Sequence, residues 1–235
     1  MSRRHTIVNR FQKVELQRGF TLIELLTVIA IIAILAAMTV GLSGVAARKA
    51  KIARTRAQLH RLITAIESYR QDFNQYPPDN AYRGQNISPV LNPLYYELTG
   101  TISTGKGQRY EPSDGGDPLT VETIQRAFNR KGFLNSAEAP KQPKNYLGTL
   151  RSTDYATIRV RGVPQPITLL TAPVPWPKQA IQEAPLRQYV TDPKFLTVNP
   201  WHYVSTNPMH NPQSYDLWVE LILGKERRLI ANWEE

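Results

Sequence analysis

Glu24 is the residue with the most chemistry to explain. It is the single charge in the run from Gly19 to Ala47 (GFTLIELLTVIAIIAILAAMTVGLSGVAA), and the 23 positions from Leu25 to Ala47 carry none. A bilayer core takes about 20 apolar residues rising about 1.5 Å each, so this run is long enough to span one. A carboxylate five residues into such a segment costs several kcal/mol on its own. Something must neutralise it, and no Lys or Arg lies in the run. The sequence therefore points to a partner met inside the membrane.

Other reactive residues do not assemble into recognisable chemistry. Gly100 to Gly107 (GTISTGKG) comes within one residue of a phosphate-binding loop. Gly107, however, stands where a Ser or Thr hydroxyl must meet Mg²⁺, and QRYEP after it is a poor helix start, so the stretch reads as a flexible loop. Asp114 to Asp117 (DGGD) reads as a turn offering two carboxylates. The four histidines are His5, His60, His202 and His210. With no cysteine and no clustered acid, His202 and His210 are not expected to form a metal pair. No serine has the neighbours of a nucleophile elbow. No catalytic residue, metal site or cofactor is expected, and the chain does not read as an enzyme.

The elements that must position Glu24 divide sharply along the chain. All 18 prolines lie between Pro77 and Pro212. From Phe20 to about Asn74 nothing forces a helix break, and the apolar run passes into an amphipathic stretch. There Ile52, Leu59, Leu62, Ile63, Ile66, Tyr69 and Phe73 recur at helical spacing. One continuous helix of about 55 residues would be roughly 80 Å long. Its first half suits lipid, its second half needs a globular domain over one stripe, and Tyr76-Pro77-Pro78 ends it.

Beyond the prolines, Pro89–Leu98 and Val121–Phe128 read as short helices, and Thr99–Pro118, rich in Gly, Ser, Thr and Asp, reads as a surface loop. Alternating apolar residues predict strands over Tyr155–Val163, Ile167–Thr171, Trp201–Ser205, Tyr215–Leu223 and Arg228–Ala231. The expected class is α+β: a long N-terminal helix, half membrane and half amphipathic, packed on a small C-terminal antiparallel sheet. Trp176, Trp201, Trp218 and Trp233 are expected to fill that sheet's core, with subunit docking as their other possible role.

The chain has 235 residues, no cysteine and a formal charge of +10. Removing residues 1–19 takes away Arg3, Arg4, Arg10, Lys13 and Arg18 against Glu15, which leaves +6. That is a mildly basic domain and not a nucleic-acid signature. Absence of cysteine does not argue for the cytoplasm. Five Lys or Arg precede the apolar run, while Arg48, Lys49, Lys51, Arg54, Arg56 and Arg61 follow it, so charge counting leaves the orientation open. The basic stretch reads as a solvated helix face, or as a contact to anionic headgroups or an acidic partner.

Arg18-Gly19-Phe20-Thr21-Leu22-Ile23-Glu24 resembles the type III signal of bacterial prepilins: a basic leader, a Gly, an aromatic residue and a Glu at the fifth position of the product. The resemblance implies that a membrane-embedded aspartic peptidase cuts between Gly19 and Phe20 and methylates the new amine of Phe20. It also implies that this amine meets Glu24 of an adjacent subunit and registers assembly. A Sec-type signal cut near Ala46 and Ala47 is the rival reading. Residues 65–77 (AIESYRQDFNQYP) resemble the helix end of major pseudopilins of type II secretion, with the pattern A-x-E-x-Y-x-x-D-x-x-x-Y-P. Asn199-Pro200-Trp201, Tyr203-Val204, Tyr215-Asp216-Leu217-Trp218 and Ile230-Ala231-Asn232-Trp233 resemble the same group's C-terminal sheet. The likeness departs in one place. Major pseudopilins usually bind Ca²⁺ in an acidic loop after the Tyr-Asp-Leu strand, but Val219 to Arg228 (VELILGKERR) is too basic and apolar, so no calcium is expected.

The expected organisation is a leader at 1–19, a transmembrane helix part at 20–47, an amphipathic part at 48–76 and a periplasmic globular domain at 77–235. An enlarged middle region, 80–198, matches nothing in the family. The resemblance implies a pseudopilin: an inner-membrane, single-pass structural subunit with its C-terminal domain in the periplasm. Its partners would be further copies of itself in a filament, the prepilin peptidase, other pseudopilins, an inner-membrane assembly platform and the membrane, with no nucleic acid. A type IV pilin for adhesion or DNA uptake, and a membrane-anchored binding module with its ligand site in 80–198, are the alternatives.

Overall fold

The computed structural model describes residues 19–234, without the side chains of 37–43. Residues 1–18 of the expected leader lie outside the described residues. The chain divides into two compact units, Met1–Ala47 and Arg48–Glu235.

Helix α1 runs Leu22–Phe73. It ends three residues before Tyr76 because Asn74 adopts a left-handed conformation, φ 54°, ahead of the prolines. In the second unit α1 buries Leu59, Leu62, Ile66 and Tyr69, the stripe expected from the spacing, while the intervening Arg56, His60 and Arg70 stay exposed.

The remaining elements follow in chain order. The strand pair β1 (Ala81–Tyr82) and β2 (Gln85–Asn86) precedes helix α2 (Leu94–Thr99). Then come β3 (Thr101–Thr104), β4 (Arg109–Pro112), β5 (Leu119–Thr120), helix α3 (Val121–Phe128) and β6 (Ser136–Glu138). Next are β7 (Tyr155–Ile158) and β8 (Ile167–Leu170), an antiparallel pair, then β9 (His202–Val204), β10 (Asp216–Leu223) and β11 (Glu226–Ala231). The last three form an antiparallel sheet ordered β11-β10-β9. On β10, Leu217, Val219, Leu221 and Leu223 are buried, with Trp218, Glu220 and Ile222 half-buried between them. This alternation puts one face on the core. The protein is mixed α+β, with an N-terminal helix and antiparallel sheet in the C-terminal part.

Three expectations need correction. Thr99–Pro118 is not a surface loop: β3 pairs antiparallel with β4 and parallel with β6 in a sheet ordered β5-β4-β3-β6. The phosphate-loop lookalike is that sheet's first hairpin. Its turn at Gly105, Lys106 and Gly107 has φ of 60°, 57° and 80°, a left-handed run that glycine permits. The helix expected over Pro89–Leu98 is confined to Leu94–Thr99, since Pro93 stands at its N-cap position. Of the four tryptophans only Trp176 and Trp201 are buried; Trp218 and Trp233 are half-buried.

The middle region shares the core with the long helix. Leu94, Leu98, Ile124, Phe128 and Ile158 belong to one buried cluster with Leu62, Ile66 and Leu217. Gly100 shows how tightly this region closes, because a Cβ there would lie 2.6 Å from Pro143 Cβ and φ is 85°.

Candidate functional site

At the N-terminus, Thr21 precedes the first residue of α1 and Glu24 stands three positions on. The Thr21 amide and hydroxyl donate to Glu24 Oε2 at 2.8 and 2.7 Å, and the Glu24 amide donates back to Thr21 Oγ1 at 3.3 Å. This reciprocal pairing is a capping box, which satisfies free amides at a helix start and puts a carboxylate near the positive end of the helix dipole. The signature Thr21-x-x-Glu24 was readable in the sequence as such a cap. Both Thr21 donors go to Oε2, and among the described residues no cation pairs with the carboxylate. Glu24 is thus held in place by its own chain, with Oε1 left unclaimed among the described residues.

Gly19 and Phe20 lie in exposed chain without regular structure just before the helix. Among the described residues, its chain neighbours aside, no atom comes within 4 Å of where a Gly19 Cβ would stand. Phe20 is 83% exposed, and Leu22, Ile23, Leu25, Leu26, Ile29, Ile32 and Leu35 are also largely exposed. A contiguous apolar surface of this kind marks a site for lipid or for another protein. Among the described residues no helix is long and apolar enough to cross a membrane.

The stretch 65–77 is a set of fastenings between α1 and the rest of its unit. The Tyr69 hydroxyl donates to buried Glu97 at 2.8 Å. Asp72 accepts from Lys144 Nζ at 2.6 Å and from the Tyr146 hydroxyl at 2.7 Å. The Pro77 carbonyl accepts from Tyr203 and Ser205 hydroxyls at 2.7 and 3.0 Å. Ala65 is buried in the core. The pattern encodes packing and hydrogen bonds that fasten the helix end.

At the C-terminal end, the basic segment Val219 to Arg228 forms the β10–β11 hairpin, turning at Gly224 with φ 75°. Asp216 is buried and already engaged: its carboxylate accepts from the amides of Met209, His210 and Asn211 at 2.8, 3.0 and 2.9 Å. It therefore organises the 209–211 loop. Among the described residues no group of three or more His, Cys, Asp or Glu side chains is placed to hold a metal. His202 and His210 do not come together. His202 stacks on Trp218 at 5.0 Å, Trp218 meets Trp233 edge-on at 5.6 Å, and His210 stacks on Trp233 at 3.9 Å. Burial pushes the His202 imidazole down to about 4, against weaker opposing hydrogen bonding to the backbone at Trp218 and Pro200.

In the middle region, a cavity of about 150 Å³ is lined by Tyr95, Tyr155, Asp114, Asp117 and Thr168 among others. The Tyr95 hydroxyl donates to Asp114 at 2.5 Å. Burial first, and then the Asp114 carboxylate, raise the Tyr95 phenol well above its ordinary range. Asp114 and Asp117 are both exposed.

No curated protein and no solved structure shows significant similarity to the chain. One family model matches, described as the prokaryotic N-terminal methylation motif, over residues 16–40. That span contains Gly19, Phe20, the Thr21–Glu24 cap and most of the exposed apolar surface. A prepilin-type motif implies processing by a prepilin peptidase and assembly into a filament. The chain carries the prokaryotic N-terminal methylation motif, the prepilin-type signal of type IV pilin and pseudopilin families.

Proposed function

We infer that the protein is a pseudopilin: a structural subunit, not an enzyme, held in the inner membrane and assembled into a short periplasmic filament of a type II secretion machine. The observation that carries this reading is the methylation motif at 16–40, with Glu24 fixed at the start of an exposed apolar helix. In this reading residues 1–19 are removed by cleavage between Gly19 and Phe20, and the Phe20 amine is methylated. Residues 25–47, uncharged throughout, span the bilayer, and the unit from Arg48 onward lies in the periplasm. The unclaimed oxygen of Glu24 receives the amine of the neighbouring subunit, so that one buried charge neutralises another.

The choice of secretion filament over adhesive or DNA-uptake pilus rests on the resemblance of residues 65–77 and 199–233 and on the absence of cysteine. Other pseudopilins and an inner-membrane assembly platform are the partners this assigns.

Glu24→Leu tests the mechanism. It removes a buried charge, so membrane insertion should be unharmed and cleavage at Gly19 should persist, while crosslinked or sheared filament should fall below detection. Normal filament from the Glu24→Leu protein would reject the amine–carboxylate register.

A further inference from the structure

Arg48, Lys49, Lys51, Arg54 and Arg56 occupy the first turns of α1 after the uncharged run. All five are exposed. Among the described residues none of them makes an ion pair, whereas the next cations along the helix do: Arg61 meets Asp154 at 3.3 Å and Arg70 meets Glu67 at 3.9 Å. Along α1, then, the cations without an acidic partner among the described residues are those nearest the apolar segment.

Their spacing discriminates between partners. At about 100° per residue the five point over more than half the circumference of the helix, within an axial length of about 12 Å. An acidic face of one neighbouring protein would meet cations along a single stripe. A layer of anionic groups lying across the helix axis meets them at every azimuth. The headgroup region on each side of a bilayer is only about 5–8 Å deep, but Lys and Arg stems reach along the axis to it. The β10–β11 turn comes to the same level, since a Cβ at Gly224 would lie 3.7 Å from Arg48 Nη2. That turn adds exposed Lys225 and Arg228 against Glu226.

We propose that Arg48, Lys49, Lys51, Arg54 and Arg56 form a cationic collar that binds anionic phospholipid headgroups where α1 leaves the bilayer. The proposal rests on the membrane reading given above. Attraction to an anionic surface grows with each basic residue near it and is screened by salt, so the collar would favour acidic lipid around the subunit until filament assembly removes it from the bilayer.

The test compares the full chain with a variant carrying Arg48→Gln, Lys49→Gln, Lys51→Gln, Arg54→Gln and Arg56→Gln, both reconstituted in phosphatidylcholine vesicles. Spin-labelled phosphatidylglycerol and phosphatidylcholine report which lipid is held in the motionally restricted shell. The leader's charges are present in both proteins, so the difference reads the collar alone. The expected result is a preference for phosphatidylglycerol at least twofold stronger in the unaltered chain, with the difference lost in high salt. Equal preference in the two proteins would overturn the proposal, as would a variant altered only in self-crosslinking, which would indicate an acidic protein surface instead. Flotation in purely zwitterionic vesicles separates the two levels: both proteins should float, and failure of both would refute the membrane reading along with the collar.

Discussion

The Tyr69 hydroxyl on α1 donates to the Glu97 carboxylate on α2 at 2.8 Å, with both side chains inaccessible to solvent. The same carboxylate accepts from the amides of Leu134 and Asn135, both at 3.1 Å. Burial raises the pKa of Glu97, while the Asn135, Tyr69 and Leu134 hydrogen bonds and the nearby Arg130 charge pull it down. One buried acid thus ties the long helix to the middle region through three donors. Removing a partner from such a group costs more than the bond itself gains, because the remaining partner stays buried and underbonded. Tyr69→Phe should therefore lower stability by about 1–2 kcal/mol, read from chemical denaturation of the detergent-solubilised chain. An unchanged midpoint would show that Glu97 does not depend on Tyr69.

His202 makes stability depend on pH. Its imidazole is held near 4 in the folded protein by burial, against about 6.5 when free. Between those values the unfolded chain binds more protons than the folded one, so stability rises with pH across that window and is lost as pH falls through it. The loss is about 3 kcal/mol at most by pH 4. The melting temperature should fall between pH 7 and pH 4.5, and His202→Phe, which does not titrate, should flatten part of that slope. Identical slopes in the two proteins would remove His202 from the effect.

These contacts also mark what the sequence could convey. Val121–Phe128 and the strands at Ile167–Leu170 and Asp216–Leu223 were legible because their apolar residues repeat with the period of the element that forms. The stripe of Leu59, Leu62, Ile66 and Tyr69 was legible for the same reason. Thr101–Thr104 was not. Its β-branched residues suit a strand, but Gly100, Gly105 and Gly107 around it read as loop, and its pairing with Arg109–Pro112 and, in parallel, with Ser136–Glu138 far along the chain could not be seen. Glu97 was equally invisible, since its partners Tyr69, Leu134 and Asn135 are distant in sequence. At the N-terminus, Glu24 stood out as the single charge in an apolar run, while Gly19 and Phe20 were singled out through the prepilin resemblance. The role of Thr21 was missed although its offset from Glu24 is that of a capping box.

Gly19 offers a clean separation of folding from processing. A side chain at this position meets nothing within 4 Å, so the free chain accommodates one. Gly19→Val should leave the melting temperature unchanged yet leave the leader attached in cells, because a peptidase needs a narrow, extended backbone at the cut. Immunoblotting distinguishes precursor from product. Normal conversion of the Gly19→Val protein would place the cut elsewhere.

The N-terminus of the mature chain in the membrane carries the most weight. Intact-mass and peptide mass spectrometry of protein extracted from membranes should show a chain beginning at Phe20 with one added methyl group on its amine. A chain beginning near Val45 to Arg48 would mean that the apolar run is a disposable signal, and would contradict a filament subunit built on Glu24.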